Sequence, residues 1–131
     1  MTRASPEHDL QRAVVKLLDR SLPRDAVYTA LNPLPPKGPI HGARLKRLGL
    51  TAGIPDLVVI HHGFTLWIEL KAPGGSLSEP QKAMHARLRA AHKYPNEAYS
   101  VSGNVVLCKT IDEVILALKS HRMLVVTVEA A

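Results

Sequence analysis

The sequence predicts an α/β domain in which helices flank a mixed sheet, and three observations lead there. Apolar stripes of helical period alternate with short runs rich in β-branched residues, in the order α-β-loop-β-β-α-β-α-β. Two of those runs, 57–60 and 64–70, flank His62-Gly63, the pattern of a β-hairpin. A length of 131 residues suits one domain, 1–131, with a single core.

Ser5-Pro6-Glu7 starts the first helix, with Ser as cap and Pro in the first turn. Leu10, Ala13, Val14, Leu17 and Leu18 keep helical spacing to about residue 20, and Pro23 lies past its end. Residues 26–31 read as a first strand. Residues 32–42 hold four prolines and two glycines, which predicts a long loop. Residues 43–50 set Arg44, Lys46 and Arg47 around Leu45 and Leu48, in a short helix or turn ended by Gly49. After the hairpin, Ala72-Pro-Gly-Gly-Ser76 breaks the strand. Ser78 and Gln81, at capping-box spacing, then open a helix to about residue 92. Met84, Leu88 and Ala91 are expected inward; Lys82, His85, Arg89 and Lys93 outward. A turn at 94–97, with Asn96 ending the helix, leads to strand-like pieces at 98–101 and 105–109 around Ser102-Gly-Asn104. Thr110 caps a closing helix over 111–118, and 123–128 reads as a last short strand.

The hairpin carries the chemistry. With His62 and Gly63 as a type I′ turn, His61 faces Phe64 and Asp56 falls opposite Glu69. Alternation puts Lys71 on the same face as Glu69. Cross-strand Cβ atoms lie roughly 5 Å apart, so two carboxylates there need a shared proton or a cation between them. A hard divalent ion answers that need, and Mg²⁺ typically takes one or two carboxylates, waters and substrate phosphate. The bland alternative is a Pro-Asp turn beside a wet strand edge carrying Glu69 and Lys71.

Pro55-Asp56 followed by Glu69-Leu70-Lys71 resembles the PD-(D/E)XK motif of restriction-endonuclease-like nucleases. Gly53-Ile-Pro-Asp56, Ile68-Glu-Leu-Lys71 and Ser76-Leu-Ser-Glu-Pro-Gln81, with Glu7 and Gln11 on the early helix, resemble its VRR-NUC branch, the virus-type replication–repair nucleases. The resemblance runs from about residue 5 to about 120 and implies a restriction-endonuclease-like core. It implies a structure-specific DNA endonuclease dependent on Mg²⁺ or Mn²⁺. Asp56, Glu69, the Leu70 backbone carbonyl and Glu7 are then the expected metal ligands. Lys71 is expected to position the attacking water or stabilise the phosphorus, with Gln81 assisting. Glu7 also suits a helix N-terminus and Gln81 a cap, so each has a purely structural alternative. Small stand-alone members act as homodimers on branched DNA such as four-way Holliday junctions, which makes junction DNA and a second copy the expected partners.

Seventeen Lys and Arg against eleven Asp and Glu leave a net charge of +6 and suit an anionic partner such as nucleic acid. Arg44, Lys46, Arg47 and Lys82 are the candidate DNA contacts; a solvated basic surface is the alternative for the first three. The 32–42 loop is either a flap touching DNA or the dimer partner, or a passive spacer. No segment has transmembrane length and the start lacks a signal-peptide core, so a soluble protein of the cytoplasm or nucleoid is expected, neither secreted nor membrane-bound. Cys108, the single cysteine, excludes a disulfide framework and reads as a small buried hydrophobe. Two further readings compete: a nucleic-acid-binding module that has kept the fold without catalysis, and a nuclease built on a histidine-bound metal. Adjacent strand residues face opposite ways, so His61 and His62 are not expected to share a metal, and no HExxH is present.

Overall fold

The computed structural model describes residues 5–31, 39–95 and 101–125. The elements follow as α1 (Pro6–Ser21), β1 (Val27–Ala30), α2 (Pro39–Arg47), β2 (Leu57–His61), β3 (Phe64–Leu70), α3 (Glu79–Ala91), β4 (Gly103–Cys108) and α4 (Ile111–Ser120). The four strands form one mixed sheet in the order β1-β2-β3-β4, the first two junctions antiparallel and the last parallel. The parallel return from β3 to β4 takes α3 as its crossover, as a parallel pair requires. No described helix is long and apolar enough to cross a membrane.

The hairpin sets the register. His62 (φ 47) and Gly63 (φ 78) both take positive φ, the mark of a type I′ turn. His61 accordingly pairs with Phe64 and Leu57 with Ile68. Leu57, Val59, Leu66, Ile68, Leu70 and Cys108 thus share one face of the sheet, packed with Val14 and Leu18 of α1 and Val114 and Leu118 of α4. Those core side chains are at most 2% exposed. Burial pushes the Cys108 thiol up to about 11, with Glu113 adding to the shift, so it stays a neutral hydrophobe.

The opposite face carries α3. Trp67 Nε1 donates to His92 Nε2 at 2.8 Å, which places the imidazole proton on Nδ1, 3.0 Å from Ser102 Oγ. Gly103 completes that contact, because a Cβ there would lie 2.6 Å from Thr65 O and 2.7 Å from the His92 ring. Val27 and Ile60, paired at the outer end of this face, remain 64% and 46% exposed.

Several boundaries differ from the expectations. The first strand is shorter, Val27–Ala30. The end of the expected 32–42 loop is helix: α2 begins at Pro39, whose fixed φ suits a first helical position. Residues 32–38 lie outside the described residues. Gly103 and Asn104, expected between two strand pieces, belong to β4, while Val101 makes one isolated bridge to Lys93. Asn96 and residues 98–100 lie outside the described residues. In α3, Ala91 is exposed and His85 is buried at 2%, the reverse of the expected orientation. Residues 123–125 form no strand, and 126–128 are not described. Arg122 (φ 56) instead ends α4 in a Schellman turn, with Met123 N bonded to Leu118 O at 2.8 Å, which folds the fully buried Met123 back into the core.

One glycine locks the approach to the hairpin. Gly53 (φ 79) lies against the start of α3, where an added Cβ would meet Pro80 O at 2.3 Å. Gly53→Ala should lower the unfolding free energy by about 2 kcal/mol or more, from positive-φ strain and displaced backbone. Gly74→Ala, with φ 83 but nothing within 4 Å, should cost only about 1 kcal/mol in the same urea titration.

Candidate active site

The site forms where β2 begins and β3 ends. Ile54-Pro55-Asp56 leads into β2, and Leu31 N bonds to Asp56 O at 2.8 Å, fixing the backbone there. On β3, Thr65 N and Lys71 N point to β4, bonding Ser102 O and Cys108 O. The peptide groups of even-numbered residues therefore point to β2. Leu70 falls opposite Pro55, which has no N–H to offer the Leu70 carbonyl. The Leu70 N–H donates to Asp56 Oδ2, at 2.8 Å, so the Asp56 side chain turns in where the ladder ends.

Glu69 is a buried carboxyl group. It is 1% exposed, one of two buried polar side chains among the described residues. The other, His85, places Nε2 3.0 Å from Glu69 Oε1. Burial pushes the Glu69 carboxyl up to about 9; a hydrogen bond with Asp56 and that residue's negative charge add to the rise, Lys71 opposes it, and Glu7 reinforces it. His85 is held below its usual range, first by burial and then by Arg89, with Asp56 pulling up and Lys71 pushing down. A neutral imidazole with its proton on Nε2 donates to Glu69 Oε1, so the contact is a hydrogen bond rather than an ion pair.

The structure brings Asp56, Glu69, the Leu70 backbone and Lys71 together. Exposed Glu7, on the first turn of α1, lies within electrostatic reach of Glu69. Gln81 completes the capping box: its Oε1 accepts from Ser78 N at 2.9 Å while Ser78 Oγ accepts from Gln81 N. The contact of Gly53 with Pro80 and Gln81 sets that cap beside the loop that delivers Asp56. The capping bond occupies only the amide oxygen. Arg44, Lys46 and Arg47 are exposed in the last turn of α2, and exposed Lys82 pairs with Glu79 at 3.2 Å.

His85 was missed by sequence reasoning, which set it outward among Lys82 and Arg89. Its spacing of four from Gln81 and seven from His92 was the available signal, since i, i+4 and i+7 share a helix face.

The donor set fits a hard divalent cation. Two oxygen ligands meet in a place so short of solvent that one carboxyl keeps its proton, and a cation there would displace that proton and satisfy both charges.

A second cluster lies at the turn end of the hairpin. His61 Nε2 and His62 Nε2 lie 2.9 and 2.6 Å from the two oxygens of Asp25, and the rings stack at 3.8 Å. This corrects the expectation that the two histidines face apart. Alternation holds only within a strand, and the positive φ of His62 swings its ring back beside His61.

Comparison of the chain with family models, with curated proteins and with solved structures finds no match.

Without divalent cations, Glu69 makes the fold sensitive to alkali. Its folded value of about 9 stands above the 4.5 of an ordinary glutamic acid. Between those values the unfolded chain has released a proton that the folded chain keeps, so this group's stabilising contribution, full below the lower value, is lost as pH rises through the window. In EDTA, the melting temperature of the wild type should fall between pH 5 and pH 9, and Glu69→Gln should flatten that fall. Parallel profiles would show that Glu69 does not hold the proton.

Proposed function

We propose that this chain is a metal-dependent nuclease of the VRR-NUC type, hydrolysing phosphodiester bonds in DNA with a preference for branched substrates. One observation carries the reading: Asp56 and the buried Glu69 share a hydrogen bond at the open end of the hairpin, with Lys71 on the same strand end.

Asp56, Glu69 and the Leu70 carbonyl would hold Mg²⁺ or Mn²⁺, with Glu7 adding negative charge nearby. The bound ion would supply an acidified water and neutralise charge on the phosphate. Every other role falls to the chain. His85 donates to Glu69 Oε1 and so fixes which carboxylate oxygen faces the site; it is a positioning residue. Lys71 offers an ammonium group to orient the attacking water or to stabilise the charge that builds on the phosphorus oxygens. Gln81, its oxygen spent on the cap, offers its amide N–H groups to water or phosphate. The α2 cations and the net charge of +6 draw the polyanion in. The preference for branched DNA, and action as a homodimer, rest on the resemblance of the ordered motifs alone.

The decisive assay incubates the purified chain with a labelled four-way junction and a linear duplex of matched sequence, in Mg²⁺, Mn²⁺ or EDTA. Cleavage should require the metal, favour the junction, and drop at least about 100-fold in Lys71→Ala and in Asp56→Ala. Junction binding, measured by mobility shift, should stay within a few-fold of wild type. Binding without cleavage under every metal would make the chain a non-catalytic nucleic-acid-binding module.

A further inference from the structure

The group at the turn end of the hairpin has the composition of a transition-metal site. We propose that Asp25, His61 and His62 form a binding site for a borderline divalent ion of the Zn²⁺ class, separate from the carboxylate pair at the hairpin's other end. The proposal does not rest on the nuclease reading.

Three features carry it. One ligand atom from each of the three residues lies within 4.8 Å of the others. Two imidazoles and one carboxylate are ligands that zinc accepts, with bonds of roughly 2.0–2.2 Å. Tetrahedral bonds of that length set ligand atoms roughly 3.3 Å apart. The 2.9 and 2.6 Å contacts to Asp25 would therefore open by roughly 0.4 and 0.7 Å. The side chains are arranged to allow this: His61 is 10% exposed and anchored, whereas His62 and Asp25 are 72% and 61% exposed.

The backbone also explains why the three converge. His62 is a turn residue whose positive φ brings its ring alongside His61. Asp25 sits in the connection between α1 and β1, and the pairing of Val27 with Ile60 carries that connection to the hairpin tip. Hydrogen bonds from both histidines, that from His62 the stronger influence, hold the Asp25 carboxyl below its usual range and keep it ready as an anionic ligand. The histidines also line a cavity of about 350 Å³ with Phe64, His121 and Arg122. A bound ion would tie edge strand β1 to the hairpin turn.

The test uses the full, untagged chain, stripped with EDTA and dialysed, then titrated with Zn²⁺ by calorimetry. Wild type should bind one ion per chain at this cluster, and the melting temperature should rise with Zn²⁺. His62→Asn, which tolerates positive φ, and Asp25→Asn should each weaken binding at least about tenfold. Both substitutions lie at exposed positions, and melts without metal will show that the variants fold. The binding that His62→Asn and Asp25→Asn weaken should persist in Asp56→Ala. An absence of stoichiometric binding in the wild type would overturn the proposal. So would binding that persists in His62→Asn and Asp25→Asn but disappears in Asp56→Ala.

Discussion

Glu69 is a carboxyl group at 1% exposure, touched by a histidine on one side and a second carboxyl on the other. In such a place a charge is costly unless something opposite meets it, so a proton, a donor and a nearby ammonium share the burden. Much of the surrounding structure serves to keep Glu69 there. The hairpin turn sets the register that puts Asp56 across from it. Next to Pro55, where the ladder ends, the Asp56 side chain takes the Leu70 N–H. Gly53 permits backbone contact with the start of α3, and α3 then delivers His85.

This arrangement separates the apolar core from the buried polar groups across the sheet. The face toward α1 and α4 holds nearly all of the apolar core, including Leu66, Ile68 and Leu118 at 0% exposure. The face toward α3 is more polar, with the Trp67–His92–Ser102 chain in its middle and Glu69–His85 at one end. A core on one side leaves the other free to bury polar groups that cost stability but define one geometry. The substituents on β3 alternate accordingly: each even-numbered residue anchors the strand, and Glu69 and Lys71 are carried by that anchoring.

The hairpin gathers titratable side chains at both ends for related reasons. At its open end, the pairing stops beside a proline and a carboxylate turns in. At its closed end, positive φ reverses the chain and gathers two imidazoles on one carboxylate. In each place a departure from regular strand geometry brings together side chains that strict alternation would have spread.

The sequence by itself determined the elements whose signals are local. His62-Gly63 named the turn and therefore the register, down to Asp56 opposite Glu69; Ser5, Ser78 with Gln81, and Thr110 named three helix caps; Cys108 in an apolar run read correctly as core. Tertiary structure decided the rest. His85 looks like a surface residue because its partner is sixteen positions away on a strand, and only the docking of α3 makes that buried position favourable. The pairing of His61 and His62 on Asp25 depends on a backbone reversal and a residue thirty-six positions distant, which no alternation rule can supply. Met123 reads as strand from its β-branched neighbours, yet the positive φ of Arg122 turns it into the core. Local pattern specifies what a segment can form; which polar groups meet in the interior is settled only when the layers pack.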